Sequence, residues 1–230
     1  MSVADRKERE KQQRRNDIID AAEKQFFRKG FDGVSMDDIA RELELSKPTI
    51  YLYFRDKESL YFAVALRGIR LLHTMYREAV EKSENSYEKL GAMAYAYFEF
   101  SNKYPDYSRV YNYSLSARFD MVNSEEMTEM LELLNENTVA MYDAIKTGMK
   151  DGIVRSDLDP LEVAVYIIAS SSGVFNMNSR LRKTLEAGGI GYSQFMSHFM
   201  DFTGRAILND PKEFEKLLND DEFSKRISGR

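Results

Sequence analysis

Residues 35–57 read Ser35-Met-Asp-Asp-Ile-Ala-Arg-Glu-Leu-Glu-Leu-Ser46-Lys47-Pro48-Thr49-Ile50-Tyr51-Leu52-Tyr53-Phe54-Arg55-Asp56-Lys57. The pattern is that of two short helices joined by a tight turn. Ser35 is a good N-cap, and Asp38 three residues on completes a capping-box-like pair. Ile39, Ala40 and Leu43 give the first helix one apolar face. Ser46 caps the second helix, and Pro48 stands in its first turn, where a missing N–H costs little. Ile50 and Phe54, four residues apart, face inward. Lys47, Thr49, Tyr51 and Tyr53 are left for the outer face and the N-terminal end. A helix built this way can put polar side chains on base edges while its flanks grip phosphates.

The stretch resembles the helix-turn-helix of the tetracycline-repressor (TetR) family of transcriptional regulators. The residues that carry the resemblance are Ile39-Ala40, Leu45-Ser46, Thr49-Ile50-Tyr51 with Tyr53-Phe54, Lys57-Glu58 and Leu60. It extends back through Ile18-Ile19-Asp20-Ala21-Ala22, Phe26-Phe27, Gly30-Phe31 and Val34-Ser35, so it covers the first quarter of the chain. Two positions depart from the commonest pattern. Glu44 stands where a turn glycine is usual, which carries a modest penalty if φ is positive. Pro48 stands where a glycine is common, which changes the bases read rather than the fold. The resemblance implies phosphate or base contacts by Ser35, Lys47, Pro48, Thr49, Tyr51 and Lys57. Ser46 and Tyr53 join them as candidate DNA-binding residues. Lys57 suits a phosphate at the start of the next helix. Asp37 and Asp38 favour their helix start but repel any nearby phosphate.

Composition agrees with a globular, non-membrane protein. Of 230 residues, 43% are hydrophobic and 31% charged. No apolar run approaches the roughly 20 residues that span a bilayer, and the charged N-terminus is no signal peptide. The sequence has no cysteine, which excludes disulfides and cysteine–zinc sites and fits a reducing cytoplasm. His73 and His198 are too few and too far apart for a histidine metal cluster. No metal, cofactor or catalytic residue is expected, since no phosphate loop or nucleophile motif is present. Net charge is −5, yet residues 1–60 carry equal numbers of acids and bases, so the deficit lies in the remainder. The most basic stretch is Arg6 to Arg15, an arm suited to phosphates or a minor groove, or else a solvated tail.

Along the chain, residues 1–12 lack apolar periodicity and read as a mobile basic arm. Residues 13–56 form the helix-turn-helix domain, its first helix ending at Gly30. A connecting helix covers 57–82. Residues 83–230 form an effector-binding and dimerisation domain, with helices predicted over 87–103, 105–119, 124–150, 160–183 and 192–208, then a short charged helix beyond Pro211. No strand signal appears. The fold class is therefore all-α, a three-helix head on a larger helical body.

Ten aromatics fall between Tyr87 and Phe119. Tyrosines with a polar handle can line a pocket, although plain core packing is the commoner role of any one of them. Candidate ligand-binding residues are His73, Tyr97, Tyr107, Tyr111, Tyr142 and Phe175. Small residues including Ala169 and Gly173 permit close helix approach, and Phe195, Phe199, Phe202 and Ala206 make one stripe; the resemblance implies that this helix pair is a dimer seam, the alternative being that the stripe faces its own core. The resulting expectation is a homodimeric regulator of double-stranded operator DNA, usually a repressor in this family, released by a small apolar or aromatic effector. It would work in the cytoplasm without membrane contact. The alternative is a small-molecule or protein sensor whose helix-turn-helix no longer binds DNA.

Overall fold

The computed structural model describes residues 3–212, 216, 220 and 225. Its elements are α1 (Val3–Lys29), α2 (Met36–Glu42), α3 (Lys47–Tyr51), α4 (Lys57–Glu81), α5 (Ser86–Lys103), α6 (Pro105–Ser114), a 3₁₀ turn (Ala117–Phe119), α7 (Glu125–Lys150), α8 (Pro160–Phe175), α9 (Ser179–Ala187) and α10 (Tyr192–Ile207). Among the described residues there is no strand, only an isolated bridge between Val154 and Leu208. The protein is all-α with an N-terminal helix-turn-helix and a helical body. The charged helix expected beyond Pro211 lies for the most part outside the described residues.

Three boundaries differ from the sequence reading. The helix at the N-terminus runs back to Val3 rather than starting near residue 13. That segment buries nothing but is laced by i,i+4 links, Arg6 to Glu10 at 2.8 Å and Gln13 to Asp17 at 2.9 Å, which favour a helix without apolar periodicity. The helix expected over 105–119 stops at Ser114, and Ala117–Phe119 tighten into the 3₁₀ turn. The helix expected over 160–183 breaks after Phe175. Asn178 there accepts a hydrogen bond from the Leu181 N–H and caps a separate α9, the role asparagine fills best.

The chain divides into two compact units: Met1–Arg70 with Pro105–Leu133, and Leu71–Tyr104 with Leu134–Arg230. In the first, Ile18, Ala22 and Phe26 of α1, Ile39 of α2, Ile50 and Phe54 at α3, and Leu60 and Val64 of α4 are buried. Gly30 ends α1 at φ +69, a left-handed turn that only glycine enters without strain. An aromatic cluster then binds α6 and the 3₁₀ turn into this unit. Phe119 lies 5.1 Å from Phe31, 5.7 Å from Tyr61 and 5.5 Å from Phe62 between ring centroids, with Tyr113 at 5.5 Å.

In the second unit, Leu90 and Met93 of α5, Met141 and Ile145 of α7, Val154, Val163 and Ala164 of α8, and Ile207 and Leu208 at the end of α10 form one core. A satellite of Ala79, Ala92 and Ala96 lets α4 and α5 approach closely. The outward side of α8 keeps Leu161, Val165, Tyr166 and Ile168 exposed.

Candidate nucleic-acid interface

The expected capping box is present. The Ser35 hydroxyl accepts from the Asp38 N–H at 3.2 Å, and the Ser35 N–H donates to Asp38 Oδ2 at 3.0 Å. Hydrogen bonds from the Ser35 hydroxyl and N–H hold the Asp38 carboxyl below its ordinary pKa. This acid is therefore committed to fixing α2. Asp37 is also engaged: Lys47 Nζ donates to it at 2.8 Å, and that bond raises the Lys47 pKa. One acid that would repel a phosphate is thus matched by one of the cations proposed to bind it.

Between α2 and α3, Glu44 has φ +54 and is the only non-glycine residue with positive φ among those described. The turn keeps its left-handed bend even with a side chain there, at the cost anticipated for a non-glycine residue. α3 starts at Ser46, whose hydroxyl accepts from the Thr49 N–H at 3.3 Å and lies 2.7 Å from the Thr49 hydroxyl. Pro48 is in the first turn. Ile50 and Phe54 are buried, which fixes the rotation of α3 and leaves Lys47, Pro48, Tyr51 and Leu52 exposed and Thr49 and Tyr53 half-buried. Ser35 and Ser46 are thus the N-caps of α2 and α3, Lys47, Pro48, Thr49 and Tyr51 lie on α3, and Tyr53 follows its C-cap Leu52.

Lys57 behaves differently from a freely extended phosphate ligand. Its ammonium donates to the Phe31 and Val34 carbonyls, each at 3.0 Å, and sits 4.0 Å from the centre of the Phe31 ring. It ties the turn after α1 to the start of α4. Residue type and position suggest an outward cation, and only the fold reveals the two carbonyls. Leu52, by contrast, is legible in the sequence yet absent from the candidates above. It is 80% exposed as the C-cap of α3, where burial of Ile50 and Phe54 obliges residue 52 to face away.

The basic arm divides in the same way. Arg15 donates to Glu126 at 2.7 Å and its guanidinium lies 4.9 Å from the Phe54 ring centre, so it braces α3. Lys7, Lys11 and Arg14 are exposed, have no ion pair among the described residues, and follow helical spacing along one face of α1.

The six ligand candidates are divided between the two units. Tyr107 and Tyr111 belong to the first unit, and His73, Tyr97, Tyr142 and Phe175 to the second. The Tyr107 hydroxyl donates to Glu23 at 2.6 Å, and Glu23 also pairs with Arg67 at 3.2 Å. Burial, then the Glu23 bond, pushes the Tyr107 pKa up. Its ring lies against Gly68, where any Cβ would come within 2.9 Å of it. Tyr107 thus packs α6 onto α1 and α4. Tyr111 is buried. Tyr97 and Phe175 do meet, edge to face at 4.9 Å. His73 Nδ1 is 2.9 Å from Asn137 Oδ1, a satisfied, partly buried histidine. Tyr142 packs at the margin of the second core.

The seam candidates also separate. Ala169 and Gly173 on α8 are exposed, and nothing lies within 4 Å of a Cβ built on Gly173. Phe202 is 67% exposed. Phe195 is half-buried, and Phe199 instead helps to line a cavity inside the second unit. Among the described residues no cluster of His, Cys, Asp and Glu could hold a metal, and no helix is long and apolar enough to cross a membrane.

Residues 18–64 match the family described as "Bacterial regulatory proteins, tetR family". The chain is 28% identical over 134 residues to the HTH-type transcriptional activator FasR of Mycolicibacterium smegmatis, an alignment spanning 58% of this chain and 59% of that one. It is 27% identical over 161 residues to the HTH-type transcriptional repressor KstR2 of Rhodococcus jostii, spanning 70% and 77%. In structure it resembles AibR, solved in complex with isovaleryl coenzyme A and operator DNA, with a TM-score of 0.59 and 18% identity over 72% of this chain and 88% of that one. At that identity the likeness speaks for the fold alone.

Proposed function

Because this chain belongs to the tetR family of bacterial regulatory proteins, we propose that it is a ligand-responsive transcriptional regulator that binds a pseudo-palindromic operator as a homodimer in the cytoplasm. The observation that carries this reading is the α2–α3 unit. Ser35 and Ser46 cap its two helices, Ile50 and Phe54 fix the rotation of α3, and Lys47, Pro48, Tyr51 and Leu52 are left facing outward. Two such heads would enter successive major grooves about 34–36 Å apart. The exposed apolar side chains of α8 and Phe202 of α10 support a seam between two copies. Relatives named as an activator and as a repressor support regulation of transcription, and we assign repression with release by an effector. Such an effector acts by favouring a conformation with weaker DNA affinity, and operator DNA must weaken the effector by the same factor.

Selection from a random pool of DNA duplexes, followed by a gel shift on the recovered sequence, tests the reading. A two-fold symmetric site bound with steep salt dependence is the expected result. Recovery of no preferred sequence, with binding no tighter than to bulk DNA, would leave the sensor alternative in its place.

A further inference from the structure

Leu52 is the outermost side chain of α3. Helical winding continues through it, with φ −71 and ψ −20, and the Tyr53 and Phe54 N–H groups donate to the Ile50 carbonyl at 3.0 and 3.1 Å. Leu52 is two residues from Ile50 and two from Phe54, about 200° around the helix from each. Both of those are buried, so Leu52 points directly away from the core. Among the described residues, no large apolar side chain of α1 to α4 is more exposed. A single exposed leucine is ordinary. Here Pro48 and Tyr51, four residues and one residue before it, are exposed on the same side of α3, and the three make one apolar ridge.

The polar groups beside the ridge are largely engaged. Lys47 Nζ donates to Asp37 at 2.8 Å, and the Thr49 hydroxyl lies 2.7 Å from that of Ser46. Leu52 itself can neither hydrogen-bond a base nor bind a phosphate. Against polar base edges a leucine would strip water from groups it cannot pair, which is costly. The apolar group that DNA presents in its major groove is the C5-methyl of thymine, and contact with it buries apolar surface on both sides. We propose that Leu52 is a specificity-determining residue that reads the C5-methyl of one thymine in each operator half-site, by van der Waals contact rather than a hydrogen bond. This contact rests on the reading of α3 as the helix that enters the major groove, and adds to that reading a particular base and atom.

The test uses the full chain and the operator duplex recovered by selection, with deoxyuridine replacing thymidine at one position at a time in both half-sites. Deoxyuridine pairs with adenine as thymidine does and lacks only the methyl. At one thymine per half-site the unaltered protein should lose about fourfold in affinity for each methyl removed. Leu52→Ala and Leu52→Gln should bind the thymine operator more weakly at an unchanged melting temperature. In the double cycle of side chain and methyl, each should lose less than about twofold on uracil substitution at that position, while Leu52→Met, which stays apolar, keeps most of the discrimination. A purely structural role for Leu52 would lower affinity for both duplexes alike. A half-site without a recurring thymine, or specific binding indifferent to uracil at every position, overturns the proposal. So does full uracil sensitivity in Leu52→Ala or Leu52→Gln, which would hand the methyl to Pro48 or Tyr51, and either variant decides it if the other fails to fold. Recovery of no preferred sequence overturns the DNA-binding reading itself, and this contact with it.

Discussion

Lys57 and Glu44 stand at opposite ends of what residue type can predict. Lys57 donates to two carbonyls of the turn after α1 and covers the Phe31 ring. Lys57→Met keeps the aliphatic stem and removes the bonds, leaving two partly buried acceptors unpaired. It should destabilise the protein by about 1–3 kcal/mol, read as a lower urea midpoint at unchanged m. An unchanged midpoint would return Lys57 to the role of a free cation. Nothing in the sequence around residue 57 signals this, because the acceptors lie 26 and 23 residues away. Glu44 is legible from the resemblance alone, as a side chain where the turn favours glycine, and its φ of +54 agrees. Glu44→Gly should stabilise by about 1 kcal/mol, the strain of a left-handed non-glycine residue less the added chain entropy. A destabilised Glu44→Gly protein would mean that the Glu44 side chain contributes more than its backbone costs.

At the scale of elements, α2 and α3 are readable because caps and apolar spacing are local, and Ser35, Ser46, Ile39 and Ile50 all sit where that reading places them. The aromatics of 87–119 are not. Their periodicity says that they are buried, but not against what, and Tyr107, Tyr113 and Phe119 pack with Phe27, Phe31 and Tyr61 of the first unit. Helix α1 illustrates a third case. Its first turns have no apolar stripe, so tertiary packing leaves no signal, while side-chain links four residues apart extend the helix. That extension sets Lys7, Lys11 and Arg14 along one face. Replacing all three by Ala should reduce the slope of log affinity against log salt by about 0.9 for each phosphate no longer neutralised, with circular dichroism little changed. An identical slope would make the arm a solvated helix with no role on DNA.

For the whole molecule, the question is what the outward faces of α8 and α10 meet. The phenylalanine stripe of α10 serves two sides, with Phe199 lining the cavity and Phe202 67% exposed. Spacing alone puts both on one stripe; the three-residue step leaves them about 60° apart around the helix, and the edge between half-buried and exposed surface falls between them. Phe202→Glu should therefore yield a folded monomer by sedimentation, with operator affinity lowered because two half-sites no longer bind together. A folded dimer from this variant would move the seam elsewhere. The central claim remains that α3 reads DNA. Its most direct test is a fluorescence anisotropy titration of the selected operator duplex with the Lys47→Ala/Tyr51→Ala double variant, at several salt concentrations and beside the unaltered protein. The account predicts an unchanged melting temperature and an operator affinity at least tenfold weaker. Equal affinity at every salt concentration would contradict it.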